Sequence, residues 1–362
     1  MPVTQEQISA AIGSITDPYL GIDLVAANAI KGIKVDGNSV HVDIELGYPV
    51  TRYAAELENA LRPPIAALAE NLAIEFDIRS KIVAHAVQTG AKRLTEVRNI
   101  IAVASGKGGV GKSTTSTNLA LALRDEGSRV AILDADIYGP SQPRMLGAQG
   151  KPESRDGKSM EPIVSYGIQS MSIGNLIEED TPMIWRGPMV TGALEQLLND
   201  TNWNDVDYLI IDLPPGTGDI QLTLCQKIPV SGAVIVTTPQ DIALLDARKA
   251  LKMFEKVDVP VLGVIENMSG HICSSCGHED HIFGAGGGES MAQQYGIDLL
   301  GALPLDTLIR EGMDTGKPIV ALQPDSRPSQ IYREISRRLA GKLALRAKDY
   351  SAKFPNIVVQ NN

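Results

Sequence analysis

The sequence has 362 residues, of which 43% are hydrophobic and 21% charged, and its formal net charge is −10. This length and composition predict a globular protein of about two domains, and the acidic balance argues against a general nucleic-acid binder. The start of the chain lacks the basic and apolar regions of a signal peptide, and no apolar run approaches the roughly 18 residues that span a bilayer. We therefore expect a cytoplasmic protein that binds neither membrane nor nucleic acid.

Residues 1–90 predict a small α+β domain. Apolar and polar side chains alternate at 40–46 and again at 74–78, which is the period of a half-buried strand. Asp36-Gly37, just before the first of these, is a hairpin-type turn. A helical pattern at 52–61 separates the two strands. The unit has the size of an independent domain.

From residue 100 the pattern changes to strands that alternate with helices. Such alternation predicts an α/β fold with a mostly parallel sheet flanked by helices. We place this second domain at 100–345, after a polar linker at 91–99 and before a C-terminal tail at 346–362.

A glycine-rich loop lies between the first strand and the first helix of this domain. It has the G-x-x-x-x-G-K-S/T spacing of a phosphate-binding P-loop. Its residues are Gly106, Lys107, Gly108, Gly109, Val110, Gly111, Lys112, Ser113 and Thr114. Glycines let several backbone N–H groups converge on one phosphate, and the helix start adds its positive dipole end. Lys112 should reach the β- and γ-phosphates and Ser113 should ligate Mg²⁺, whereas Lys107 is a second lysine that the ordinary pattern does not require.

Acidic residues end two of the predicted strands, at the edge where open α/β sheets bind ligands. Asp212 ends an apolar strand, as a Walker B carboxylate does, and we expect it to hold Mg²⁺ through water. Asp136 follows a neighbouring strand and is assigned to orient the attacking water, whereas Asp134 is expected to be a turn or capping residue. Residues 213–219 combine two prolines with two glycines, and we interpret them as a switch that distinguishes ATP from ADP.

The chain has three cysteines, too few for a disulfide framework. Cys225 lies among apolar residues and is expected to be buried, whereas Cys273 and Cys276 form a C-x-x-C pair in a long loop. Two thiolates at this spacing can share one metal centre, and zinc and iron–sulfur centres both take four ligands. Either a histidine completes a zinc site, or a second subunit supplies its own pair; a redox disulfide or unbound thiols are the remaining alternative. The candidate histidines are His271, His278 and His281.

A last helix is predicted by an apolar stripe with a four-residue period. The stripe consists of Ile331, Ile335, Leu339 and Leu343, and the basic residues beside it are Arg333, Arg337, Arg338, Lys342 and Arg346. We expect the stripe to pack on the sheet and the arginines to be solvated. A membrane-surface helix is the alternative, but the stripe lacks Trp and Phe.

These motifs resemble those of a known family. The glycine-rich loop is similar to the deviant Walker A loop of MinD/ParA-type ATPases. Four further segments resemble the Mrp/ApbC branch of iron–sulfur carriers: Trp185-Arg186-Gly187-Pro188, residues 212–219, Thr237-Thr238-Pro239-Gln240, and Glu266-Asn267-Met268-Ser269 followed by the cysteine pair. The N-terminal unit resembles the MIP-type iron–sulfur assembly domain. Such domains often carry a cysteine where this chain has Gly47-Tyr48-Pro49-Val50-Thr51.

The resemblance implies a P-loop NTPase fold and an ATP-hydrolysing homodimer. Such a dimer binds a labile [4Fe–4S] cluster, receives it from scaffold or donor proteins of cluster assembly, and transfers it to apo-proteins. The resemblance also implies that Lys107 reaches the partner's nucleotide, that Asn267 meets the adenine base, and that the small domain recognises partners rather than metal. The alternatives are a positioning ATPase of the MinD/ParA kind, an electron-transfer reductase like the nitrogenase iron protein, and a zinc-binding P-loop ATPase.

Overall fold

A three-stranded sheet and two helices form the N-terminal unit of the computed structural model, which describes residues 3–88, 91–177, 187–273 and 275–348. The elements in chain order are α1 (Gln5–Gly13), β1 (Ile30–Asp36), β2 (Ser39–Leu46), α2 (Ala54–Ala66) and β3 (Ala73–Ser80). β2 is the central strand, antiparallel to β1 and parallel to β3. Its alternate residues Val40, Val42, Ile44 and Leu46 are fully buried, so one face of the sheet carries the helices.

A sheet of eight strands forms the second unit. Its strands are β4 (Val97–Ala104), β5 (Val130–Asp134), β6 (Ile163–Ser165), β7 (Ile168–Ser172), β8 (Val206–Asp212), β9 (Gly232–Thr237), β10 (Val261–Glu266) and β13 (Leu299–Ala302). The order is β13-β10-β9-β4-β8-β5-β7-β6, and every neighbouring pair is parallel except β6 with β7. A separate small hairpin pairs β11 (His271–Ile272) with β12 (Glu279–Asp280).

Helices cover both faces of this sheet. They are α3 (Lys112–Asp125), α4 (Gln142–Met145), α5 (Gly187–Asn199), α6 (Asp219–Lys227), α7 (Asp241–Lys256), α8 (Gly287–Tyr295), α9 (Thr307–Asp314), α10 (Ile319–Leu322) and α11 (Arg327–Ala344). One apolar core joins the sheet to α3, α10 and α11, and a second joins it to α5, α6, α7 and α8. The predicted fold class is therefore confirmed.

Some sequence features fall beside or outside the described elements. β4 begins at Val97, three residues before the predicted strand, because Val97 and Asn99 already pair with Val206 and Tyr208 of β8. The polar Asn99 side chain concealed this from the sequence pattern, but it is buried and bonded to His85 and Asp207. Trp185, Arg186 and the tail from residue 349 lie outside the described residues. Within the described ranges, no helix is both long enough and apolar enough to cross a membrane.

A buried ion pair of the second unit lies at its contact with the N-terminal unit. Arg337 on α11 and Glu126 at the end of α3 have side chains 5% and 0% exposed, and their closest N–O distance is 2.8 Å. The guanidinium also donates to the hydroxyl of Tyr19 at 2.9 Å and lies 5.2 Å from the ring centre of Tyr53. Both tyrosines belong to the N-terminal unit, so the cation of α11 is enclosed by the contact between units.

Backbone contacts reinforce this junction. The N–H groups of Thr51 and Arg52 donate to the backbone and side chain of Glu126, each at 3.1 Å. The expectation that the arginines of the last helix are solvated is wrong for two of them, since Arg333 and Arg337, taken as whole residues, are 8% and 4% exposed. The helical period identified the apolar stripe, but the N-terminal unit covers the neighbouring polar face.

Replacement of Arg337 by methionine should lower the free energy of unfolding by about 3–5 kcal/mol, because Glu126 would keep its buried charge without a cation. The matched Arg338→Met variant should cost about 1 kcal/mol or less, since Arg338 is 40% exposed and its ion pair with Glu334 is 3.8 Å long. Urea denaturation followed by circular dichroism measures both. Adding Glu126→Gln to Arg337→Met should recover part of the loss; equal losses for the two arginines would contradict the buried pair.

Candidate functional site

The glycine-rich loop links the carboxyl end of β4 to the start of α3. Gly111 has φ +80°, a conformation that favours glycine, and a Cβ there would overlap the side-chain amide of Asn267. Gly106 has a different reason to be glycine, because a Cβ would overlap the backbone of Asp246 on α7. The loop therefore packs closely between α7 and the residue that follows β10, and this packing fixes the path of its backbone at the start of α3.

Lys112 and Asp212 form the buried centre of the site. The lysine Nζ lies 2.6 Å from Asp212 Oδ1 and 3.2 Å from Ser113 Oγ, and the two side chains are 5% and 0% exposed. Ser116 Oγ donates to Asp212 Oδ1 at 2.9 Å, and Gln142 Nε2 donates to Asp212 Oδ2 at 2.9 Å. The P-loop lysine and the strand-end carboxylate predicted from sequence are therefore brought together, and the carboxylate is held by three donors.

Sequence reasoning missed Ser116 and Gln142. Ser116 could have been found, because it lies four residues after Lys112 and so on the same face of α3. Gln142 Nε2 also donates to the backbone oxygen of Ser113 at 3.1 Å, but no local motif marks this glutamine. Its position depends on the path of the loop after β5.

Asp134 organises that loop. Its carboxylate is fully buried and accepts four hydrogen bonds of 2.9–3.1 Å. The donors are the backbone N–H groups of Asp136, Ser141 and Gln142 and the hydroxyl of Ser172. Burial, together with the negative charge of Asp212, raises the pKa of the Asp134 carboxyl. These contacts leave Asp134 the role of holding Gln142 against Asp212.

Asp136 lies two residues further on and is half-buried. Burial raises the pKa of its carboxyl, and the charge of Lys112 opposes that shift. The predicted water-orienting residue therefore lies within the electrostatic field of the Lys112–Asp212 pair.

Four further predicted features lie in the loop or beside it. Lys107 is half-buried, and within the described residues its ammonium has no ion pair. Asn267 is 7% exposed, and its amide nitrogen donates to the Val110 carbonyl at 2.8 Å. Residues 213–219 lie against the loop, since the Gly216 N–H donates to the Ser105 carbonyl at 2.9 Å. Thr114, on the first turn of α3, is half-buried.

The cysteine pair lies at the tip of the β11–β12 hairpin. The N–H of Cys273 donates to the carbonyl of His278 at 2.9 Å, and the N–H of Gly277 donates to the carbonyl of Cys273 at 2.8 Å. Hydrogen bonds from the backbone N–H groups of Cys276 and Ser275 lower the pKa of the Cys273 thiol. Cys273 is half-buried and Cys276 exposed, so the hairpin presents a thiol of lowered pKa next to an accessible one.

Two of the three candidate histidines near this pair are oriented by a backbone carbonyl through one ring nitrogen. Nδ1 of His271 lies 3.0 Å from the Leu305 carbonyl, and Nδ1 of His281 lies 2.7 Å from the Ser269 carbonyl. Across the described ranges, no three His, Cys, Asp or Glu residues gather as a metal-binding group. Cys225 is buried far from solvent, and burial raises the pKa of its thiol to about 12. Among the described residues, Cys273 and Cys276 are therefore not joined by a third His, Cys, Asp or Glu in a group that could hold a metal ion.

Comparisons with known families match both units of the chain. The model of the family described as NUBPL iron-transfer P-loop NTPase matches residues 96–340, and that described as iron-sulfur cluster assembly protein matches residues 5–76. The iron-sulfur cluster carrier protein of Haemophilus influenzae is 48% identical over 340 residues, covering 94% of this chain and 92% of that protein. The iron-sulfur cluster transfer protein NUBPL of Mus musculus is 52% identical over 254 residues, 70% of this chain and 80% of that protein.

Solved structures are similar in the second unit. A nucleotide-binding protein of Archaeoglobus fulgidus, in complex with ADP, has a TM-score of 0.55 and 38% identity, covering 62% of this chain and 89% of that one. MinD of Pyrococcus horikoshii, complexed with Mg-ADP, has a TM-score of 0.50 and 22% identity, covering 66% and 94%. At that identity the likeness to MinD concerns the fold alone.

Proposed function

Because the chain belongs to the iron-transfer P-loop NTPase family of iron–sulfur cluster carriers, we propose that it is an ATPase that carries a [4Fe–4S] cluster between two copies of itself. In this proposal, scaffold or donor proteins of cluster assembly load the dimer, and apo iron–sulfur proteins receive the cluster. The observation that carries the proposal is the exposed hairpin with Cys273 and Cys276, beside which the described part of the chain gathers no third ligand. A cytoplasmic location stays a prediction from the sequence.

The cysteine hairpin suits a cluster that is cargo. Cluster iron is bound by thiolates, and a [4Fe–4S] cluster takes four of them. The lowered pKa of Cys273 favours the ligand form, and the exposure of Cys276 gives a recipient's thiols access to the iron. A cluster held at an accessible hairpin tip can be exchanged more readily than one enclosed by protein.

The count of ligands supports a homodimer. Two thiolates per chain make four only when two copies meet, and a two-fold axis would place each pair opposite its own copy. Lys107 supports the same association, because a half-buried lysine without an ion pair in the described chain is available to a phosphate of the facing subunit. Both features belong to the proposal of one cluster per dimer.

The P-loop site suits ATP and Mg²⁺. The ammonium of Lys112 lies where the Ser113 hydroxyl and the Asp212 carboxylate converge, and hard oxygen donors of this kind are those that Mg²⁺ prefers. Ser113 would ligate the ion directly and Asp212 through water, and the ion would neutralise charge on the β- and γ-phosphates. When ATP binds, the Lys112 ammonium would leave the Asp212 carboxylate and donate to phosphate oxygens instead.

Hydrolysis then depends on positioning and charge, since phosphoryl transfer needs little covalent chemistry from the protein. The backbone N–H groups of residues 108–114 and Lys112 would hold the phosphates, while Asn267 would contact the adenine base. Asp136 would orient the water that attacks the γ-phosphorus, with ADP leaving. Residues 213–219 would change conformation when the γ-phosphate is lost, because Gly216 is bonded to Ser105, directly before the loop.

Anaerobic purification followed by native mass measurement and counting of iron, sulfide and zinc tests the proposal. We expect a dimer with about four iron and four sulfide and little zinc, which activates an apo-enzyme that needs a [4Fe–4S] cluster. A monomer that carries a complete cluster would contradict the shared site, and stoichiometric zinc without iron would favour the zinc-binding alternative.

A further inference from the structure

A basic groove lies between α6 and α7, beside the end of the 213–219 segment. Its volume is about 460 Å³. The lining residues are Thr217, Gly218, Asp219, Leu222, Arg248, Lys249, Lys252, Met253 and Lys256. Four of these are cations and one is an acid, in a protein whose net charge is −10. The groove therefore concentrates positive charge on an acidic molecule.

Arg248 is the least satisfied of these cations. It is half-buried, and within the described part of the chain its Nε is shielded from solvent and has no hydrogen-bond partner. No carboxylate of the described residues forms an ion pair with it. A shielded donor without an acceptor costs free energy, and a guanidinium prefers the two oxygens of a carboxylate. Arg248 is thus prepared for an anionic partner from outside the described chain.

The cations are arranged in a line. Arg248, Lys252 and Lys256 are spaced by four residues and share one face of α7, which extends the charge over about 12 Å. Lys252 forms an ion pair with the exposed Glu255 (Nζ–Oε2 2.7 Å), and Lys249 forms one with Asp246 (Nζ–Oδ1 2.9 Å). Lys256 has no ion pair among the described residues. A line of this length matches about four extended residues of a polypeptide rather than one phosphate.

We propose that this groove docks an acidic segment of a partner protein, with carboxylates on Arg248, Lys252 and Lys256. Leu222 and Met253 give the groove an apolar floor for the aliphatic parts of such a segment. Nucleic acid fits less well, because the lining residues are not aromatic and the half-buried ring of Tyr295 beside them already has the Lys252 ammonium 5.7 Å from its centre. That the partner donates or receives a cluster rests on the proposed function; the docking itself does not.

The position of the groove connects docking to the nucleotide site. Thr217, Gly218 and Asp219 form one wall, and the same segment is bonded through Gly216 to Ser105, the residue directly before the P-loop. A rearrangement of this segment would change the groove and the phosphate site together, so the two sites should influence each other's affinity.

The test is fluorescence anisotropy with a short labelled peptide of Glu-Glu-Leu repeats and the same peptide with Gln in place of Glu. The readout requires neither a cluster nor hydrolysis. We expect the acidic peptide to bind, the Gln peptide not to bind, and added salt to weaken binding. The Arg248→Gln/Lys252→Gln variant should weaken binding at least about tenfold. The matched Arg310→Gln/Lys317→Gln variant removes two charges outside the groove and should bind as the wild type does.

Three results would overturn the proposal. One is equal loss of binding in the two double variants, which would indicate general charge attraction. Another is a single-stranded oligonucleotide that displaces the peptide and depends on Arg248 to the same extent. The third is a pair of results: the wild-type protein does not bind the peptide, and the Arg248→Gln/Lys252→Gln variant has a lower dimer fraction in sedimentation. Together these results would make the groove a contact between two copies of the chain. Melting curves of both variants ensure that the comparison concerns folded protein.

Discussion

Replacement of Lys112 by methionine should lower ATP hydrolysis by about a hundredfold or more, because the charge that would stabilise the transferring phosphoryl group is removed. The same change leaves the fully buried Asp212 carboxylate without its cation. We therefore expect a loss of up to about 3–5 kcal/mol in unfolding free energy, reduced by the bonds from Ser116 and Gln142. Phosphate release and urea denaturation measure the two effects.

Two further variants separate catalysis from stability. Lys112→Met combined with Asp212→Asn should recover stability without recovering hydrolysis, because the buried charge is gone but the phosphate contact is not restored. Lys107→Met should lose hydrolysis with little change in stability, since its ammonium has no ion pair among the described residues. Turnover close to that of the wild type in Lys112→Met would remove the argument for a P-loop ATPase.

Replacement of either hairpin cysteine by alanine should abolish cluster binding. Cys273→Ala and Cys276→Ala should each fall from about four iron atoms per dimer to nearly none after anaerobic reconstitution. Each removes two of the four proposed thiolates of the dimer. ATP hydrolysis should be largely retained, because neither cysteine contacts the P-loop. Iron counting and the visible absorption spectrum provide the measurement.

Cys225→Ala is the matched control for these variants. Its thiol is buried and protonated at neutral pH, so it should retain the full cluster, as should His281→Ala. A cluster that survives in the Cys273→Ala/Cys276→Ala double variant would place the binding site elsewhere and end the proposal.

The meeting of Lys112 and Asp212 could be predicted from the sequence, because the features that define it are local. The loop motif fixes glycines and a lysine within nine residues, and strand-end carboxylates of a parallel sheet must meet at one edge. Gln142 could not be predicted, since its side chain reaches Asp212 only through the loop that Asp134 folds. The uses of Lys107, Asp136 and Asn267 stay predictions.

The contact between the units was also beyond sequence patterns. A helical period predicts which residues of α11 face the sheet, but the burial of Arg337 depends on where Tyr19 and Tyr53 are placed. The segment 47–51 lies at this junction through Thr51. A contact between segments so far apart in the sequence produces no periodic pattern of apolar residues in either segment.

Through Glu126, α3 connects the glycine-rich loop at its start with the N-terminal unit at its end. The helix starts in the phosphate loop and extends for 14 residues, about 21 Å at 1.5 Å per residue, before it meets the N-terminal unit. If the proposed binding of phosphates tilted this helix at one end, the hydrogen bonds of Glu126 would carry the tilt to Thr51 and Arg52 at the other. By thermodynamic reciprocity, a protein that bound the N-terminal unit in only one of the two tilts would then change the affinity for ATP by the same factor.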